Sequence, residues 1–181
     1  MSELRLLKGT DGGRRLNLAE HLAVHGELTV PRPKEAGAFS TAMLEQIECS
    51  GLSGRGGGGF PTAKKLALVA GHRRRVHLAI NVMEGEPAAQ KDTVLACYAP
   101  HLVLDGAEVL AAVIGATSVS ICVARDNRAA QDSLSAAIAE RTTRRGGVQF
   151  DLEVLPARYV GGEESALVHW LDGGLAMPTW R

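Results

Sequence analysis

Three short apolar runs punctuate the chain, Val76 to Val82, Ser118 to Ala124 and Val148 to Leu155. Each is rich in branched aliphatic residues and bounded by polar or glycine-containing stretches, which predicts a strand. Apolar positions recur at helical spacing over Leu16 to Val24, Ser40 to Cys49, Pro61 to Ala70, His101 to Ile114, Asn127 to Arg141 and Glu163 to Leu171. Asp126 or Asn127 is placed to cap the fifth of these helices, and Gly115 to stop the fourth. Near-continuous apolar strands alternating with helices predict an α/β fold, a parallel sheet with helices on both faces. Ligands of such sheets bind beyond the carboxyl ends of the strands.

Length and charge fit one compact domain. The 181 residues are 45% hydrophobic, enough for a single core. An N-terminal segment, residues 1–40, is expected to pack on a core domain of residues 41–181. Twenty basic and twenty acidic residues cancel, so no global field favours nucleic acid. The local runs His72 to Arg75 and Arg141 to Arg145 sit at element edges. They read as solvated turns, with a docking patch for an acidic redox partner as the alternative.

No window approaches the roughly 20 apolar residues of a membrane span, and Met1 to Gly9 lacks an export signal, so the expected location is cytoplasmic. Cys49, Cys97 and Cys122 lie far apart, without the tight spacing of iron–sulfur ligands. They read as buried structural thiols in a reducing compartment. His21 and His25 stand on one helix face, but Leu22 occupies the Glu position of H-E-x-x-H and no third ligand is evident. No metal site is expected, and the other histidines read as surface or packing residues.

The densest chemical signal is Gly51 to Thr62, in which six residues are glycine, followed by a helix. Such a loop can approach a ligand closely and aim backbone N–H groups and the helix dipole at an anion. Taken alone, the loop reads first as a tight structural turn, with a ligand cradle as the alternative. Gly54, Gly56 and Gly59 match G-x-G-x-x-G, but the preceding segment reads as a helix where a dinucleotide fingerprint needs a strand. Phe60 and Pro61 exclude a nucleotide-triphosphatase loop.

Two further segments narrow the choice. Asn81 to Asp92 begins Asn-Val-Met-Glu-Gly-Glu-Pro, and Tyr159 to Leu167 reads Tyr-Val-Gly-Gly-Glu-Glu-Ser-Ala-Leu. Together with Gly-Arg-Gly-Gly-Gly-Gly-Phe-Pro-Thr, in this order, they resemble the NADH-binding flavoprotein subunits of respiratory complex I and of NAD-reducing hydrogenases and formate dehydrogenases. The resemblance runs from about Glu45 to Gly174. It implies a modified Rossmann-like domain that binds FMN and oxidises NADH, an FMN-dependent NADH:acceptor oxidoreductase or a component of one.

By this resemblance the loop residues Gly54, Arg55, Gly56, Gly57 and Gly59 wrap the flavin and nucleotide. Phe60 is implied to stack on the adenine of NADH and Lys65 to assist. Asn81 is implied to hold the flavin, and Glu86 to stand near the nicotinamide. Tyr159, Glu163 and Glu164 complete the cofactor set. The flavin carries the redox chemistry, so no catalytic side chain is expected.

The departures point the other way. Met83 stands where the family has Asp, Leu68 replaces a second adenine-stacking aromatic, and Gly161 replaces a Cys. The family's later flavin-completing stretch, ubiquitin-like domain and [4Fe–4S] domain have no counterpart in these 181 residues. The implied electron acceptor is therefore a separate iron–sulfur protein or ferredoxin, in a homo- or hetero-oligomer. The alternative is a degenerate binding or assembly module that keeps the fold without productive cofactor binding. Without the resemblance, Glu163 and Glu164 read as first-turn acids of a helix.

Overall fold

The computed structural model describes residues 5–10, 13–32, 35–55, 58–70, 75–86, 88–141 and 148–179. Gly56 and Gly57 lie outside these, as does most of each basic run. Three parallel strands, β1 (His77–Val82), β2 (Ser118–Ala124) and β3 (Gln149–Leu155), form one sheet in the order β1-β2-β3. The register pairs His77 with Ser118 and Ser118 with Gln149, and runs unbroken to the carboxyl ends.

Among the described residues seven α-helices surround the sheet: α1 (Leu18–His25), α2 (Gly37–Cys49), α3 (Thr62–Val69), α4 (Lys91–Tyr98), α5 (Pro100–Ile114), α6 (Arg128–Arg141) and α7 (Glu164–Leu171). Because side chains alternate across a strand, Val119, Ile121 and Val123 of β2 all point to one face. There they pack against Leu104, Ala107 and Ala111 of α5 and Leu134 and Ala137 of α6. Cys122 points to the other face and joins Met83, Leu155, Leu167 and Ala176 in a smaller cluster under α7.

Helices thus lie on both faces, as expected, but coverage of the second is limited to the carboxyl end of the sheet. Farther down, Gln149 and Asp151 are exposed, and His77 binds the hydroxyls of Ser118 (2.9 Å) and Ser120 (3.0 Å). This half-solvated face explains why β1 and β3 alternate between exposed and part-buried positions, whereas β2 is buried over its five central residues.

The strand expectations match to within a residue, and the helix boundaries shift at two places. The first helix begins at Leu18, not Leu16, because the Asn17 side chain accepts the Glu20 amide and the Glu20 carboxylate accepts the Asn17 amide in return. The second starts at Gly37, a turn before Ser40, whose hydroxyl donates to the Val113 carbonyl and ties α2 to α5.

Gly115 stops α5 in the left-handed region (φ 76°), as its position predicts. Asn127 caps α6 by accepting the Ala130 amide at 3.2 Å, and its Nδ2 donates to Thr93 of α4 at 3.0 Å. Asn127→Ala is expected to cost about 1 kcal/mol, read as a lower urea midpoint at unchanged slope.

Two further expectations are corrected. Cys49 is exposed at the end of α2, where the helix turns toward solvent; Cys97 is part-buried and Cys122 buried. Burial pushes the Cys122 thiol up to about 11, and Glu153 adds to this. Arg141, read as part of a solvated basic turn, is 5% exposed and fully engaged by hydrogen bonds. Among the described residues, no single helix is long and apolar enough to cross a membrane.

Candidate functional site

The glycine loop is pinned at its base. Thr62 donates its amide to Leu52 (2.9 Å) and Gly54 to Phe60 (2.9 Å), and Ser53 bridges Pro61 in antiparallel fashion. Within it Gly59 adopts φ 57°, which a side chain would strain. The loop delivers Arg55 toward the sheet and leaves the Phe60 ring 53% exposed.

The loops after β1 and β3 meet at the carboxyl edge of the sheet. Asn81 donates through Nδ2 to the Gly162 carbonyl at 2.8 Å and accepts the Met83 amide at 2.9 Å. Contact there is backbone on backbone. A Cβ on Gly85 would lie 2.7 Å from the Tyr159 carbonyl oxygen, and one on Gly162 would lie 2.8 Å from that of Met83. Only residues without side chains allow the two loops this approach. Met83 is buried beneath them, its methyl placed 3.1 Å from where a Cβ on Gly161 would stand.

A cleft of about 310 Å³ opens above this junction, lined by Arg55, Asn81, Glu86, Tyr159 and Glu163 together with Lys91 and Asp92 of α4. A second hollow of about 300 Å³ lies on the far side of the Gly85–Tyr159 contact, reaching Asp126 and Arg158. Each stands at the lower end of the roughly 300–1,000 Å³ usual for ligand pockets. Five of the sequence-predicted residues therefore share one wall.

Others stand apart. Gly54, Gly59 and Phe60 shape the loop without lining the cleft. Lys65 on α3 faces Glu164 on α7 across 3.6 Å, with both side chains mostly exposed. Gly56 and Gly57 lie outside the described residues. Leu68 is 70% exposed.

Glu163 and Glu84 also serve the backbone. Glu163 caps α7, accepting the amides of Ser165 (2.9 Å) and Ala166 (3.2 Å). Glu84 reaches across to the start of α4 and accepts the amides of Asp92 (3.2 Å) and Thr93 (3.1 Å). Burial pushes the Glu84 carboxyl up, but these amides and Lys91 outweigh it and hold the group below its usual range. Sequence reasoning read Glu84 and Glu86 as a polar loop entering a helix. It did not place α4 or assign Glu84 to its start, because Glu84 lies seven residues upstream of the helix. The one available signal was a pair of acids flanking Gly85 in a loop entering a helix.

The cleft admits a flat ligand, since its glycines let the backbone approach closely and Tyr159 stands 75% exposed at the rim. Its charge is mixed: Arg55 and Lys91 face Glu84, Glu86, Asp92 and Glu163. Lys91 is already paired with Asp92, so Arg55 is the cation suited to an anionic group. Met83 adds an apolar floor where a polar contact was expected from the resemblance.

Known proteins resemble this chain in sequence and in fold. The chain is 32% identical over 151 residues to a subunit of the NADH-quinone oxidoreductase of Rhodobacter capsulatus, an alignment covering 77% of this chain and 35% of the relative. It is 34% identical over 144 residues to a subunit of the ion-translocating oxidoreductase complex of Pseudomonas aeruginosa, covering 79% of this chain and 17% of that one. The chain thus spans about a third or less of the length of these curated relatives.

Among solved structures, an NAD⁺-reducing [NiFe]-hydrogenase in the air-oxidized state superposes with a TM-score of 0.69 at 31% identity, covering 93% of this chain and 30% of the hydrogenase chain. The H₂-reduced state gives 0.68 at 29%, covering 83% and 26%. Residues 47–181 match the family model described as the Nuo51 FMN-binding domain, and the chain belongs to that family.

Proposed function

We propose that this chain binds FMN at the junction of the two loops and accepts electrons from NADH there. The convergence of Arg55, Asn81, Glu86, Tyr159 and Glu163 on one cleft carries this reading, in a chain of an FMN-binding family. The flavin, when bound, supplies hydride acceptance; the protein positions and shields. Gly85 and Gly162 let the two loops close backbone on backbone beneath the cleft, and Asn81 locks them together. Arg55 meets the phosphate charge, while Lys91 is held by Asp92 and Glu84. Glu86 and Tyr159 stand at the rim, where the nicotinamide would enter, and the open Phe60 ring receives the adenine.

In this reading residues 41–181 form the cofactor unit, and residues 1–40 pack on it. Electrons leave to a separate iron–sulfur protein or ferredoxin, within a cytoplasmic hetero-oligomer. Support for a partner comes from the relatives' names, each a subunit of a larger oxidoreductase. Anaerobic addition of NADH to FMN-loaded protein is expected to bleach the flavin absorbance. Bound flavin that stays oxidised under NADH would favour the degenerate-module reading, which the buried Met83 and the exposed Leu68 support.

Lys65→Gln separates binding from folding. The Lys65–Glu164 pair is 3.6 Å apart and mostly exposed, so its loss should move stability by less than about 0.5 kcal/mol. NADH affinity of the FMN-loaded protein is expected to fall several-fold, read by titration of the bleaching.

A further inference from the structure

Away from the cleft, a buried network of charged and imidazole groups joins the N-terminal segment to α5 and α6. Glu140 of α6 accepts from Arg15 (2.6 Å), from the Leu18 amide (2.7 Å) and from His101 Nε2 (2.9 Å). Asp105 of α5 takes His21 at 2.8 Å and Arg141 at 2.6 Å. Arg141 also donates to Glu108 at 3.1 Å. His21 and His101 are 1% and 0% exposed, their rings 5.4 Å apart.

The state of His101 follows from its partners. Arg141 Nε donates into His101 Nδ1 at 3.1 Å, so Nδ1 carries no proton and Nε2–H faces Glu140. The neutral ring is fully satisfied. A second ring proton would set N–H against N–H and displace Arg141, on which Asp105 and hence His21 depend.

We propose that residues 13–26 form an acid-released strap, docked on α5 and α6 at neutral pH and let go when His101 gains its second proton. The groups facing His101 are Glu140 and Arg141 from α6, Asp105 and Glu108 from its own helix, and His21 and Arg15 from the strap. His25 stands behind His21, with ring centroids 4.9 Å apart, and Lys8 lies beyond it.

Docking is imperfect even when closed, since His25 Nε2 and Arg15 Nη1 are buried without partners. Burial holds both His101 and His25 below the ordinary imidazole value, with the Glu140 bond opposing this at His101. Glu140 does not titrate in the same window. Burial pushes its carboxyl up, but Arg15, His101 and the Leu18 amide outweigh that and hold it at about 2. The strap lies outside the family match, which begins at residue 47.

A ring whose docked-state pKa lies below its released value costs docking stability as pH falls beneath about 6.5, by up to about tenfold in protection per pH unit. Hydrogen exchange of the α1 amides, corrected for intrinsic rates, should show that loss between pH 7.5 and 5 while the β2 amides stay protected. His101→Gln has a carbonyl to accept from Arg141, an amide to donate to Glu140 and no proton to gain, so its α1 should stay protected at pH 5.

Three results would overturn the proposal: wild-type α1 still protected at pH 5, α1 and β2 exposed together, or His101→Gln released like the wild type. If that variant does not fold, the wild-type exchange and an NMR titration of His101 decide. Release and ring protonation should then share one midpoint, and a protonated His101 beneath a protected α1 would refute the strap.

Discussion

Gly85→Ala is expected to weaken FMN binding at least about tenfold and to destabilise the domain by about 1–3 kcal/mol. The added Cβ would sit 2.7 Å from a backbone oxygen, that of Tyr159, rather than from the end of a side chain that could swing aside. The loops after β1 and β3 would have to separate, which opens the floor of the cleft and stretches the Asn81–Gly162 bond of 2.8 Å. Gly106→Ala is the matched control, since its Cβ would enter open space on α5 and alanine favours a helix by roughly 0.5–1 kcal/mol. Flavin titration and urea unfolding of the two variants side by side check the prediction. Unchanged FMN affinity in Gly85→Ala would place the ligand elsewhere.

The largest loss of stability is expected from Arg141→Leu. Its guanidinium is 5% exposed and binds Asp105, Glu108, the His101 ring and the His101 carbonyl. Removing the buried guanidinium takes the cation from Glu108 and leaves Asp105 with His21 alone, at about 3–5 kcal/mol. In a chain of this size that lowers Tm by on the order of 10 °C. The exposed Arg14–Glu20 pair is as short, 2.7 Å, yet breaking it should leave Tm unchanged, because water replaces the lost partner. Thermal unfolding of both variants distinguishes burial from distance as the source of the effect.

The strands and most helices were legible because their signals are local. β2 reads as an apolar run, Gly115 ends α5 by its backbone angle, and Asn127 caps α6 within four residues. What escaped depends on partners distant in sequence. Glu84 starts α4 from across a loop, and His101 meets Glu140 and Arg141 from another helix. The spacing of His21 and His25 placed them on one face, but not against Asp105. Cys49 looked like a core thiol by residue type, although its place on the outer face of α2 exposes it.

The cleft shows the same division. Three ordered motifs indicated which loops to watch, and the topology brings two of them together at the carboxyl edge of the sheet, from the two strands that flank β2. That Gly85 and Gly162 are points of backbone contact was not readable, since glycines in such loops equally serve turns. The place of Glu163 at the start of α7 was readable, since the sequence already sets Glu163 and Glu164 in the first turn of a helix.

The central claim is flavin binding at this loop junction, and titration of the purified protein with FMN, followed by flavin fluorescence, tests it most directly. Saturable one-to-one quenching that is weakened in Gly85→Ala and kept in Gly106→Ala is the predicted result. Absence of saturation up to roughly millimolar FMN, a binding free energy weaker than about 4 kcal/mol, would contradict it and leave a fold that has lost its ligand.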